Sequence, residues 1–143
     1  MTAALAEARR AAAEGEIPVG AVIADANGHI IAAAHNMTQA LCDVTAHAEM
    51  LAITAAANHY RSKYLSDCTL YVTVEPCVMC AGAIGWSQLG RVVIGCRDDK
   101  RGFSTVCSTS PFHPRAQVDW GVCGDECAGL MTEFFRQRRK PKF

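Results

Sequence analysis

Apolar and polar positions change period several times along the chain, and each change marks an element. Residues 3–14 alternate Ala or Leu with charged side chains at helical spacing and run into Gly15, which predicts an amphipathic first helix. Two apolar runs, 19–24 and 29–34, flank Asp25-Ala26-Asn27-Gly28. Asn-Gly favours positive φ and a tight turn, so the two runs predict a β-hairpin. Thr45 suits the N-cap of a helix rich in Ala, Leu, Ile and Met that runs to about residue 59. Thr69–Val74 is the clearest strand pattern in the chain. Pro76 stands where proline suits a helix start, and 77–88 reads as that helix. A further strand is expected at 91–95, then a Ser/Thr/Gly/Pro-rich loop over 97–114 with room for a short helix. Residues 116–120 predict a last strand and 125–139 a closing helix. Hairpin, helix, strand, helix, strand and helix in this order imply an α/β fold with one central sheet covered by helices. With no internal repeat and no interdomain linker, the 143 residues are expected to form a single domain, 1–143.

Composition narrows the setting. Half of the chain is hydrophobic, yet no uncharged apolar run approaches the length of a membrane span, so no membrane partner is expected. The first fifteen residues are Ala-rich with Glu7, Arg9, Arg10 and Glu14 spread through them, unlike a secretory signal, and a cytoplasmic location is the expectation. Of the eight cysteines, Cys77 and Cys80 form a Cys-x-x-Cys unit that suits a metal better than a disulfide framework. Cys42, Cys68, Cys96, Cys107, Cys123 and Cys127 are expected to be buried small hydrophobes. Cys123 and Cys127 could share a helix face, but no third ligand accompanies them. Formal net charge is zero, so nothing global points to nucleic acid. The end of the chain differs: Arg136, Arg138, Arg139, Lys140 and Lys142 crowd together there.

The candidate chemistry lies in His47-Ala48-Glu49 and Pro76-Cys77-Val78-Met79-Cys80. His47, Cys77 and Cys80 supply three zinc ligands, one short of a closed tetrahedron, and catalytic zinc sites leave that fourth place for water. Both segments fall at predicted helix starts, where unsatisfied N–H groups favour the thiolates that zinc requires. The i, i+3 spacing of the cysteines puts both sulfurs on one side of their helix. Glu49 lies two residues beyond His47, about 200° around an ideal helix, which disfavours both binding the ion from one side but lets Glu49 reach a bound water. Zinc lowers the pKa of such a water to about 7. Glu49 could then take its proton and return it to the substrate and leaving group, general acid–base work worth about 10²–10⁴ in rate. Taken singly, His47, Glu49 and the Cys-x-x-Cys unit are ordinary; their conjunction is what signals an open zinc site. A closed structural zinc completed by Cys68 or Cys96 is the competing arrangement.

His-x-Glu followed by Pro-Cys-x-x-Cys is the signature of the zinc nucleobase deaminases. The chain resembles, more specifically, the bacterial tRNA-specific adenosine deaminases. The resemblance runs through Glu16-Ile17-Pro18-Val19-Gly20-Ala21-Val22, Asn36, Thr45-Ala46-His47-Ala48-Glu49, the stretch from Leu70 to Ala83, Asp125-Glu126-Cys127 and Phe134-Phe135-Arg136. It implies a three-layer αβα cytidine-deaminase-like fold with a central five-stranded mixed sheet, one zinc per subunit and a homodimer. It implies hydrolytic conversion of adenosine to inosine at the wobble position of a tRNA anticodon stem-loop. It also implies roles: His47, Cys77 and Cys80 hold the metal, Glu49 moves the proton, Asn36 and the backbone of Ala48 bind the base, and Asp98 lies near the sugar of the flipped nucleotide.

The loop over 102–114 departs from the small-residue run of the best-known members, in a region that borders their substrate. Trp86 stands where related guanine deaminases also tend to carry tryptophan, although a core aromatic is the expectation for it. Neutral charge and the variant loop leave an alternative open, a deaminase of free guanine, cytosine or adenosine. A zinc-stabilised interaction module without activity is the third reading. The basic tail with Phe134 and Phe135 suits RNA, since aromatics stack on bases and cations neutralise phosphates. It equally suits a helix end whose cations complement the dipole while the two rings pack; the resemblance tips it to RNA.

Overall fold

The computed structural model describes residues 1–139; Lys140 and Lys142, part of the basic tail, lie outside the described residues. The elements run α1 (Thr2–Ala13), β1 (Gly20–Ala24), β2 (Ile30–His35), α2 (Ala48–Tyr60), β3 (Thr69–Val74), α3 (Val78–Trp86), β4 (Arg91–Cys96), α4 (Phe103–Val106), β5 (Gln117–Trp120) and α5 (Gly124–Arg138). One five-stranded mixed sheet has the order β2-β1-β3-β4-β5. β1 is antiparallel to both β2 and β3, while β3, β4 and β5 are parallel. Helices α1 and α5 touch each other on one face, and α2 packs with α3 on the other, giving three αβα layers.

The hairpin forms as its turn residues require. Asp25 Oδ1 accepts the N–H groups of Asn27 and His29, each at 2.9 Å, and Gly28 takes φ +83°. All five residues of β1 are buried, because this strand has neighbours on both edges and helices on both faces. Gly20 at its start is dictated by close approach: a Cβ there would meet the Ala4 carbonyl oxygen at 1.9 Å. That absence of a side chain lets α1 settle against the sheet through Ala4, Leu5, Ala8 and Ala11. Ile23, Leu70, Val72, Ile84, Val92 and Ile94 belong to the main core cluster. Burying each such side chain stabilises the fold by roughly 1.5–3 kcal/mol.

Because β1 runs against both its neighbours, β2 points the same way as β3 and β4. The carboxyl ends of these three strands therefore open on one edge of the sheet, the usual side for ligands in open α/β sheets. Asn36 follows β2, Glu75 follows β3, and Arg97 with Asp98 follows β4. Topology alone brings these distant residues to one rim.

Several local expectations fail. Thr45 does not cap α2; its hydroxyl and its N–H both donate to Asp43 Oδ1, at 2.7 and 2.8 Å, and His47 occupies the N-cap position in extended conformation. Trp86 is not a core aromatic but 85 % exposed. On α3 the buried side belongs to Cys80, Ala81 and Ile84, and Trp86 falls on the opposite side with Val78. Cys42 and Cys123 are exposed, each at a backbone position with positive φ, and Cys96 and Cys107 are half-buried. Among the described residues, no helix is long and apolar enough to cross a membrane.

Candidate active site

α2 and α3 bring their N-termini together. His47 and Cys77 are the N-cap residues of the two helices, and Cys80 lies in the first turn of α3. His47 Nδ1 stands 3.6 Å from Cys77 Sγ and 3.5 Å from Cys80 Sγ. An ion with ordinary zinc–sulfur and zinc–nitrogen bonds in tetrahedral geometry sets that edge at about 3.6 Å. The donor set therefore fits zinc in chemistry and in spacing. Among the described residues it is the one group of three or more His, Cys or acidic residues that can each bring a ligand atom to within 4.8 Å of the others. Neither Cys68 nor Cys96 joins it, so no fourth protein ligand closes the site, and Cys123 with Cys127 forms no second centre among the described residues.

The electrostatics of the cluster prepare it for a cation. Hydrogen bonding from Cys80 is the main cause that draws the Cys77 thiol down to about 4, against burial and with help from His47. Cys80 is held well above the usual thiol range by that same bond and by its burial. Zinc binds thiolates, so metal binding at this pair is coupled to the release of thiol protons. The Cys77 hydrogen bond raises His47 above its ordinary value, more than burial lowers it. Glu49 is 3 % exposed, and burial pushes its carboxyl up to about 7 against the pull of its own backbone amide and of His47. The helical offset expected between His47 and Glu49 does not apply, because His47 precedes the first helical residue with ψ 152°.

In front of the cluster lies a cavity of about 750 Å³. Asn36, Ala48, Glu49 and Asp98 all line it, together with His47 and Cys77. Asn36 donates its N–H to the Val19 carbonyl at 3.1 Å, and its Oδ1 is buried with no hydrogen-bond partner. A buried, unpartnered amide oxygen facing a cavity is a position awaiting a donor. Asp98 serves a turn as well as the cavity: its Oδ1 accepts the N–H groups of Lys100 and Arg101 at 3.1 and 3.0 Å.

The 102–114 loop is pinned by aromatic packing. Phe103 and Phe112 are buried with ring centroids 4.8 Å apart, and Phe103 stacks on Trp120 at 5.8 Å. Arg97 lies over that same Trp120 ring at 4.1 Å, which holds its guanidinium at the cavity rim. A family comparison decides the assignment: the cytidine and deoxycytidylate deaminase zinc-binding region matches residues 1–96. The chain belongs to this deaminase family.

Relatives agree over nearly the whole length. The tRNA-specific adenosine deaminase of Bacillus subtilis is 43 % identical over 99 % of this chain and 90 % of its own. That of Aquifex aeolicus is 42 % identical over 95 % of this chain and 91 % of its own. A solved structure from work on A-to-I editing by tRNA:A34 deaminases superposes with TM-score 0.84, at 38 % identity over 91 % of this chain and 96 % of that one. A guanine deaminase from Nitrosomonas europaea superposes with TM-score 0.77 at 26 % identity, covering 92 % of this chain and 80 % of that one. The zinc-dependent deaminase fold is thus the cytidine-deaminase-like one, and zinc is its cofactor.

Two cations of the basic tail of this deaminase, Arg136 and Arg138, are occupied with its own fold. Arg136 binds Glu133 through two contacts at 2.9 and 2.7 Å. Arg138 donates to the Gly15 carbonyl and lies 4.7 Å from the Phe134 ring centroid, tying α5 to the end of α1. Phe135 and Arg139 reach the cavity instead. Thr38, Glu75, Arg97, Lys100 and Arg101 also line it, and no local sequence motif marks them. The signal that would find them is topological, the shared direction of β2, β3 and β4.

Proposed function

We propose that this chain deaminates adenosine to inosine at the wobble position of a tRNA anticodon, with His47, Cys77 and Cys80 holding zinc and Glu49 moving the proton. The observation that carries the substrate is the cavity rim. Arg97, Lys100, Arg101 and Arg139 line it and are all exposed, outnumbering Asp98 and Asp99 beside them, in a chain whose formal net charge is zero. A free base carries no phosphate for such a rim to meet, whereas an RNA loop brings several. Similarity to the tRNA-specific adenosine deaminases of Bacillus subtilis and Aquifex aeolicus and to a solved tRNA:A34 deaminase supports the same substrate.

When bound, zinc supplies a water acidic enough to act as a nucleophile near neutral pH. Glu49, buried beside the cluster, accepts the proton released as the C6–O bond forms and delivers it to the departing amine. The C6–N bond breaks, and ammonia and inosine leave. Asn36 Oδ1 accepts a hydrogen bond from the base, and the backbone of Ala48 lines the same pocket. Asp98, at the rim, faces the sugar of the extruded nucleotide.

The proposal includes one catalytic domain over 1–143, a cytoplasmic location where tRNA is found, and a homodimer. Val78 and Trp86, on one side of α3, are 52 % and 85 % exposed. An apolar strip of this kind suits a second copy. Sedimentation of the native chain against Trp86→Glu tests that: a dimer that becomes a monomer is expected, and a native monomer contradicts it.

The substrate is tested by ammonia release from the zinc-loaded protein with an anticodon stem-loop bearing wobble adenosine, beside free guanine, cytosine and adenosine. Release from the stem-loop is expected. Release from a free base with an inert stem-loop would overturn the proposal.

A further inference from the structure

Glu75 is buried, 4 % exposed, yet among the described residues its carboxylate pairs with no cation. Each of its oxygens instead receives a backbone amide. Asp98 N–H donates to Oε1 at 3.2 Å, and Ser104 N–H donates to Oε2 at 2.9 Å. Taking a carboxylate out of water is costly unless its oxygens are satisfied, and charge-assisted bonds to N–H groups are among the stronger ways to satisfy them. The residue stands between two parts of the site. Its chain neighbour Pro76 leads to the metal ligand Cys77, and the amides it grips belong to the rim loop that carries Asp98.

Three further contacts clamp the same pair of segments. Glu75 N–H donates to the Cys96 carbonyl at 2.8 Å, Phe103 N–H donates to the Pro76 carbonyl at 2.9 Å, and Cys77 pairs with Gly102 in an isolated antiparallel bridge. Gly102 is fitted to the carboxylate. A Cβ there would lie 2.3 Å from Glu75 Cδ and within 2.5 Å of both oxygens. The φ of Gly102 is −62°, open to any residue, so glycine is needed for space and not for backbone freedom.

We infer that Glu75 is a positioning residue for the substrate: its two-pronged grip on the Asp98 and Ser104 amides sets the rim loop at a fixed place relative to Cys77. This rests on the reading of Asp98 as a substrate contact. A glutamine has the same shape but presents N–H to one of the two amides, so Glu75→Gln loses half of the grip and turns it repulsive. Gly102→Ala attacks the same contact from the other side by displacing the carboxylate.

The test uses the full zinc-loaded chain with Glu75→Gln, Glu75→Ala, Gly102→Ala and the Glu75→Ala/Gly102→Ala pair. Zinc content, amide exchange at Asp98 and Ser104, and KM and kcat on the wobble-adenosine stem-loop are measured. Glu75→Gln and Gly102→Ala are each expected to keep one zinc and to exchange those amides about tenfold faster or more. KM should rise about tenfold to a hundredfold, the size of a lost charge-assisted bond, with kcat within about threefold. In the pair, Gly102→Ala should add little, because the group its methyl would strike is gone. A folded, zinc-loaded Glu75→Gln with native exchange and native KM overturns the inference. Additive effects in the pair, or zinc lost in step with the KM change, overturn it as well. Should the Glu75 variants fail to fold, Gly102→Ala alone decides by the same readings. A native chain inert on the stem-loop would sink the functional reading instead, and the amide exchange would still report on the grip.

Discussion

His47, Cys77 and Cys80 come from the starts of two helices, whereas Asn36, Arg97 and Asp98 come from the chain just beyond the ends of two strands. The first group is held by packing. α2 and α3 bury Ala48, Ala52, Ala81 and Ile84 completely, so the ligands inherit the rigidity of the core. The second group is held contact by contact: Asn36 N–H by the Val19 carbonyl, the Arg97 guanidinium by the Trp120 ring, and the Asp98 loop and the segment after Asn36 by amides bonded to buried carboxylates. Glu75 grips Asp98 and Ser104, and Glu16, 2 % exposed, grips the amides of Gln39 and Ala40 at 3.0 and 2.8 Å. The metal ligands and the rim residues therefore rest on different supports, and variants can test whether either is damaged while the other survives.

The largest effect that breaks this comparison is loss of the ion. Cys80→Ala should leave the protein without stoichiometric zinc and with inosine formation below detection, since the removed sulfur is one of three ligands. Atomic absorption of the purified variant checks it; full zinc content would argue for ligands elsewhere. Asn36→Ala comes next. It removes the unpartnered Oδ1 from the cavity wall, so zinc content should hold while kcat/KM falls about tenfold to a hundredfold. Native kcat/KM in that variant would remove Asn36 from the substrate contacts.

Glu16→Gln sharpens the comparison further. It should loosen the wall around Thr38, lowering stability by about 1–3 kcal/mol in urea unfolding with zinc content unchanged. A drop in zinc of the same proportion would show that wall and centre are not separable.

The smallest expected effect is a pH dependence set by a residue outside the cavity lining. His35 closes β2, and its two ring nitrogens lie 2.8 Å from Glu7 Oε2 and 2.8 Å from Glu14 Oε2 on α1 and its C-cap. Burial works against its charge, but the hydrogen bonds to Glu7 and Glu14 outweigh it and raise its pKa above 6.5. Arg10 also faces the cluster, paired with Glu7 at 3.0 Å. A raised folded-state pKa means that the stabilisation is complete below 6.5 and disappears as pH climbs through the raised value. The melting temperature of the native chain should thus fall over that climb relative to His35→Gln. A constant difference between the two would contradict the charged bridge.

Much of this was legible because it depends on neighbours in the chain. Asp25-Ala26-Asn27-Gly28 announces its hairpin, Thr69–Val74 its strand, and His47-x-Glu49 with Cys77-x-x-Cys80 its metal chemistry, all within a few residues. What escaped depends on distance. The partners of Glu75 are amides 23 and 29 positions away, and backbone N–H groups leave no mark in a sequence. Arg138 looked like part of an RNA-binding tail, but its partner is the Gly15 carbonyl at the other end of the chain. Thr45 has a capping side chain and the right position, yet Asp43 competes for it more locally. Trp86 was misplaced because hydrophobicity alone does not say which side of a short helix meets the core.

The most direct test of a centre that does the chemistry inside walls that choose the substrate is Glu49→Gln at saturating wobble-adenosine stem-loop. Single-turnover inosine formation should slow by about 10²–10⁴, while zinc stays at one per chain and stem-loop affinity stays close to native. A zinc-loaded Glu49→Gln that makes inosine at the native rate would contradict the account at its centre.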